Sequence, residues 1–409
     1  MSSQEYVNNL AYLPHSMKFL FHSSTFFSTH NTKGFTMKKS LLSIVVALVL
    51  ISMVQAQDLT GTLTKMAGDA AKGYVQPVAS GFGNNLNGGW YHKAPAAKIF
   101  GIDLELGLVA MGTFTTEENK TFTASGVFKF GGGYYSGDIG NNPNGTKSQS
   151  EKIAENIGTA WTFATPTQKQ NIIDKIAGLD FTVGISGPTI VGTKQDTMKL
   201  SVPQRDLDIN GDGISDYTIA ENNQTLDGVV GILDGSATIP LAAPQFSIGT
   251  IYGTQFTFRY LPDIEISKEI GKFKYFGFGI QHNLGMWLPI PIVDVSASFF
   301  TQNLKVGTIF ETKATSFGIN ASKQFGFAFL NVTPYAGFSL ESSTMNVTYN
   351  FAVDSPTGPQ QIPVAFELEG ENSSRLTLGL GIRLLVINVN VDYNIGKQNS
   401  ATAGVFFAF

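Results

Sequence analysis

Residues 375–394 read RLTLGLGIRLLVINVNVDYN, and their spacing decides the fold class. Leu376, Leu378, Leu380, Ile382 and Leu384 alternate with Arg375, Thr377, Gly379, Gly381 and Arg383; after a change of parity, Ile387, Val389, Val391 and Tyr393 alternate with Asn388, Asn390, Asp392 and Asn394. Successive side chains of a β-strand point to opposite faces, so each half of this stretch carries one apolar row and one polar row. The parity change between Leu384 and Ile387 predicts a tight turn or bulge that brings the chain back with the same face outward.

The pattern recurs along the chain. Phe100, Ile102, Leu104, Leu106, Leu108 and Ala110 form one row, followed by Phe256, Phe258 and Tyr260, then Phe276, Phe278 and Ile280, then Val293, Val295, Ala297 and Phe299. Phe317, Ile319 and Ala321 form a further row, as do Met345, Val347, Tyr349 and Phe351, and the terminus ends on Ala403, Val405, Phe407 and Phe409. Charged residues are 14% of the 409, against roughly 25% in ordinary soluble domains, while aromatics reach 12% and glycines number 44. After Val54 no apolar run approaches the roughly 18 residues of a membrane-spanning helix; Met286–Phe300 is broken by Pro289, Pro291 and Asp294. The fold is therefore all-β. A secreted β-sandwich also alternates, but Gly, Ser, Thr and Asn on the second face suit a wet lumen, and Phe and Tyr near strand ends suit interfacial girdles. The expectation is a closed antiparallel transmembrane β-barrel of about 12–14 strands, each near the ~9–11 residues that a tilted strand needs.

Upstream, Met37–Gln57 has the layout of a signal peptide: Lys38 and Lys39, the apolar stretch Leu41–Val54, then Val54-Gln55-Ala56. Cleavage after Ala56 would leave Gln57 first; an uncleaved N-terminal anchor is the competing reading. Residues 1–36 then read as an extension upstream of the true start at Met37, which leaves His15, His22 and His30 without a role. Residues 57–97 read as a short helix and a Gly-rich plug or periplasmic segment. Leu59, Leu63, Met66, Ala70 and Tyr74 recur at helical steps over Leu59–Ser80, and Gly81–Trp90 is rich in Gly and Asn. The barrel is assigned to 98–409, interrupted near 131–235 by a region expected to form long external loops or a cap, with a helix at Gln168–Ile176 and a weak strand at Asp180–Ile185.

Charge and chemistry narrow the function classes. A net charge of −4 with scattered Lys and Arg gives no basic field for nucleic acid. The absence of Cys removes disulfides, thiol chemistry and a lipoprotein anchor. Asp208, Asn210, Asp212 and Asp216 place side-chain oxygens at positions one, three, five and nine around Gly213, with the carbonyl of Ile214 as a further donor, a spacing that suits calcium; Ile219 stands where a bidentate Glu would close such a loop. The same residues also suit a plain Asn-Gly, Asp-Gly turn. Calcium is the one cofactor the sequence suggests. Asp103, Glu105, Arg259, Asp294, Arg375, Arg383 and Asp392 fall in lumen phase, where they either set the selectivity of a pore or pair across a filled barrel. No catalytic constellation emerges: His92 and His282 have no nucleophile or carboxylate at a recognised spacing and read as loop or girdle residues.

The order of signal peptide, short helix, GFGNNLNGGW (81–90), strand-rich body and the ending AGVFFAF (403–409) resembles predicted outer-membrane barrels of Gram-negative bacteria. In those proteins the assembly machinery reads a last strand ending in an aromatic residue, a role the resemblance extends to Ala403, Val405, Phe407 and Phe409. From IPLAAPQFSIGTIYGTQFTFRYLP (239–262) through GFGIQHNLGMWLPIPIVDVSASFF (277–300) to the end, the chain resembles an uncharacterised family of such barrels. It is more loosely similar to long-chain fatty-acid channels, which also combine an N-terminal plug with a barrel. The resemblance implies an outer-membrane location, with lipid and the assembly machinery as partners. The functional expectation is a passive pore or small-solute transporter of unread solute, not an enzyme; the alternative is a structural or adhesive surface barrel with a filled lumen and a calcium-stabilised external loop.

Overall fold

Alternation at period two becomes strand wherever it was read. The computed structural model describes residues 68–128, 149–155, 162–208, 213–215, 217–226, 229–267, 271–290, 292–327, 329–355 and 358–409. Its principal sheet is built from β1 (Phe100–Phe114), β2 (Thr238–Ile251), β3 (Thr254–Ser267), β4 (Gly271–Asn283), β5 (Asp294–Val306), β6 (Phe310–Ser322), β7 (Leu330–Ser355), β8 (Ser374–Leu384), β9 (Ile387–Ile395) and β10 (Ser400–Ala408). Every neighbour pair is antiparallel, and pairing of β1 with β10, Ala110 opposite Ala403, closes the ring. Closure matters because it leaves no edge whose backbone donors and acceptors lack partners.

The ring holds ten strands, where the count of alternating segments predicts 12–14. Two features of the pairing set the count at ten. The row beginning at Met345 is the upper part of the 26-residue β7, which pairs with Gly358–Glu369 above and with β8 below. Those two stretches are successive parts of one return path. The strands of the region between β1 and β2 pair among themselves: Thr121–Phe128, Phe181–Pro188, Met198–Val202 and Asn222–Leu226 form a separate antiparallel sheet, and Arg205–Leu207 pairs with Tyr217–Ile219.

This insertion also carries helices Gln149–Glu155 and Pro166–Gly178, which meet through Ala154, Ile173 and Ile176 against Leu207. The second helix starts at a capping box, Thr165 and Gln168 answering each other's backbone amides, with Pro166 in the first turn.

Strand direction gives the ring two unlike ends. One carries the insertion. The other carries the start of β1, Phe409 and the tight turns at 252–253 and 385–386.

Along β3 to β7 the polarity of the two faces exchanges partway up. Near the tight-turn end the outward residues are apolar, as with Phe317, Ile319, Phe338 and Leu340, and the inward ones are polar, as with Ser298, Ser316 and Asn320. Nearer the insertion the outward row becomes Lys274, Lys305, Lys313 and Thr315, while Phe273, Leu304, Val306, Met345 and Val347 turn inward and are buried. The lower part is thus built for an apolar surrounding and the upper part for water. Among the described residues no helix is long and apolar enough to cross a membrane.

Candidate functional site

A helix occupies the ring. α1 (Asp69–Asn87) is buried along most of its length, and it continues past Ser80 through the Gly- and Asn-rich Gly81–Asn87. A ten-stranded ring has little room for a helix about 10 Å wide, and glycine supplies the clearance. A Cβ at Gly73 would strike Phe122, one at Gly81 would strike Ile239, and one at Gly83 would strike Ser343. The wall answers in kind where the chain becomes extended: Gly277 and Gly279 lie under the Trp90 ring, and Gly337 under Tyr91.

Contacts follow the segment from one end to the other. At the insertion end, the Tyr74 hydroxyl donates to the Val230 carbonyl at 2.9 Å, and the Ile190 amide donates to the Tyr74 carbonyl at 3.0 Å. Lower down, Asn84 Nδ2 donates to the Gln398 carbonyl at 2.9 Å and Gln302 Nε2 to Asn87 Oδ1 at 3.1 Å. At mid-height Trp90 stacks on Phe300 with centroids 4.9 Å apart. Near the tight turns the Ala94 amide donates to Ser322 Oγ at 2.9 Å, and the Tyr252 amide donates to the Ile99 carbonyl at 2.9 Å.

Three of the seven lumen-phase charges, Glu105, Arg259 and Arg375, engage this segment. α1 has no basic residue in its own last turn, where carbonyls without helical partners and the negative end of the helix dipole collect. The wall supplies two cations instead. Arg259, fully buried, donates to the carbonyls of Gly88 at 2.9 Å and Leu86 at 3.4 Å and to Gln245 Oε1 at 2.9 Å, and its guanidinium lies 4.1 Å from the centre of the Trp90 ring. Arg375 donates to the Asn84 carbonyl at 2.6 Å, to Asn84 Oδ1, and to the Glu341 carboxylate at 3.0 Å. Glu105 accepts from Lys93 Nζ at 2.7 Å and lies 3.3 Å from His92 Nε2.

The remaining candidates are dispersed. Asp392 accepts from the Tyr335 hydroxyl at 2.9 Å, Asp294 from Asn283 Nδ2 at 3.1 Å and Asp103 from Thr250 at 3.3 Å, while Arg383 holds the Leu385 and Ala408 carbonyls at the tight-turn rim. A cavity of about 10 Å³ bordered by Tyr91, Phe300, Arg375 and Asp392 has room for about one water. Sequence reasoning missed Glu341 and Lys93, and it read as a loop or girdle residue His92, which is buried at the lumen wall. Ala403, Val405, Phe407 and Phe409 all face outward, while Phe406 turns in against His92. Of the calcium candidates, Asn210, Asp212 and Asp216 lie outside the described residues; Asp208 Oδ2 accepts the Gly213 amide at 2.7 Å, Gly213 has φ 84, and Ile214 is exposed.

Solved structures give faint likenesses. The N-terminal β-barrel domain of Pseudomonas aeruginosa OprF is 17% identical, with 38% of this chain and 94% of that chain covered at a TM-score of 0.18. A loop-deletion mutant of OmpT, an outer membrane protein of Vibrio cholerae, is 7% identical over 76% and 99% of the two chains at 0.21. Salmonella typhi OmpF in complex with daunomycin is 9% identical over 75% and 97% at 0.20. Scores this low carry no argument, and the barrel rests on its own strand register. No curated protein matches the chain. Over residues 37–409 it matches a family model, and the protein belongs to that family of unknown function, DUF6588.

Proposed function

We propose that the protein is an outer-membrane barrel held closed by its own N-terminal segment, a surface barrel with a filled lumen rather than a standing pore or an enzyme. The observation that carries this reading is the passage of residues 69–98 through the ring, contacting the wall at every level. Location is supported by the outward apolar belt, on which Ile319, Phe338, Leu378, Val391, Val405 and Phe407 are all substantially exposed. A belt this large and continuous is covered by lipid rather than left to water. The signal-peptide pattern points the same way, and the family match begins at Met37, the start proposed for translation.

Orientation follows from the two unlike ends. Bacterial barrels keep short turns on the periplasmic side and long loops outside, so the tight-turn end is assigned to the periplasm and the insertion, with the water-facing upper strands, to the cell surface. The test is a single-channel recording of refolded full-length protein in a planar bilayer. The expected trace has no steady open level; a stable ohmic conductance in every inserted molecule would show a standing pore and overturn the reading.

A further inference from the structure

The direction in which the N-terminal segment runs has a consequence for what the barrel exposes. β1 begins at the tight-turn end, and the residues just before it are fixed there by the bonds of Pro95 to Asn283 and of Ile99 to Tyr252. Twenty-five residues before Ile99 the chain is at the opposite end: Tyr74 is bound to Ile190 and Val230 of the insertion, and Gly73 packs on Phe122 of its separate sheet. Asp69 and Lys72, both solvent-exposed, lie one turn further out. A plug entering from the side on which the first strand begins would fold in and return to the same end. This one does not return.

From this we infer that the helix start at Asp69 faces the cell surface, so that the segment is threaded from the outside to the periplasmic end and anchored within the barrel; the inference rests on the outer-membrane reading above. Two features fit an anchor under load. The helix end nearest the outside is gripped by the water-facing part of the protein. Arg259 and Arg375 hold the carbonyls at its inner end, so a pull from outside works against charge-assisted hydrogen bonds buried inside the ring. The same route constrains assembly: β1 and β10 must close around a chain that already lies in the lumen.

The absence of native Cys makes the test direct. Full-length variants Asp69→Cys, Lys98→Cys and Lys274→Cys are expressed in a Gram-negative host and treated with a membrane-impermeant maleimide, on intact cells and after permeabilisation of the outer membrane. Heat-modifiable mobility shows that each is folded, and Lys72→Cys replaces Asp69→Cys if that variant does not assemble. The expected result is labelling of Asp69→Cys and Lys274→Cys on intact cells, with Lys98→Cys labelled only after permeabilisation. If Lys274→Cys labels from outside while Asp69→Cys needs permeabilisation, the threading is wrong and the membrane reading stands. If Lys274→Cys itself needs permeabilisation, the assigned orientation fails and takes the inference with it.

Discussion

At Arg375 the guanidinium meets the Glu341 carboxylate at 3.0 Å and the Asn84 carbonyl at 2.6 Å, with both charged side chains almost completely buried. Removing one member of such a pair leaves the other charge without compensation, at about 3–5 kcal/mol, whereas replacing both by neutral groups of similar volume is far milder. Arg375→Ala should therefore shift the urea midpoint of the refolded barrel strongly downward, and Arg375→Met combined with Glu341→Gln should recover most of the loss. A midpoint unchanged by Arg375→Ala would show that the pair does not hold the segment. Alternation places Arg259 and Arg375 on the inner face from sequence alone. Their partners were not legible, because Asn84, Leu86 and Gly88 use backbone carbonyls from a Gly- and Asn-rich stretch without periodicity. His92 was set aside for the same reason: its carboxylate partner, Glu105, comes close only through the fold.

At the level of the strand, β6 shows how one alternation serves two surroundings. Its outward row reads Lys313, Thr315, Phe317 and Ile319, so the boundary between water and lipid falls near Thr315 and Phe317. A charge on the lipid face costs about 2–4 kcal/mol near the midplane and about 0–1 near the interface. Ile319→Arg should thus sharply lower folding yield into vesicles, and Thr315→Arg, four residues away on the same face, should leave it nearly unchanged. Equal yields for the two would remove the boundary. That strands form was legible along most of the wall, though not over Thr238–Ile251 or the first half of β7; which row faces out was not, because parity is constant along β7 while the apolar residues move from even positions such as Phe338 and Leu340 to odd ones such as Met345 and Val347. The outward charges Lys274, Lys305 and Lys313 were the available signal.

For the whole molecule, ring and helix are complementary by size: glycines on both surfaces let a helix and then an extended aromatic stretch occupy a ten-stranded interior. The sequence carried the existence of an N-terminal segment distinct from the wall, through its helical spacing and its glycines. Its place inside the ring depends on contacts between residues hundreds of positions apart, such as Asn84 with Gln398, and no local pattern encodes those. The central claim is that this segment fills the lumen, and it is tested most directly by a disulfide across the interface. A Cβ on Gly81 would stand 3.2 Å from that of Ile239, close to the roughly 3.5–4.5 Å that a disulfide spans. In outer membranes carrying Gly81→Cys with Ile239→Cys, mild oxidation should convert nearly all of the folded protein to an intramolecularly bridged form, seen as a mobility shift reversed by reductant; two thiols that both stay open to maleimide in the folded barrel would contradict it.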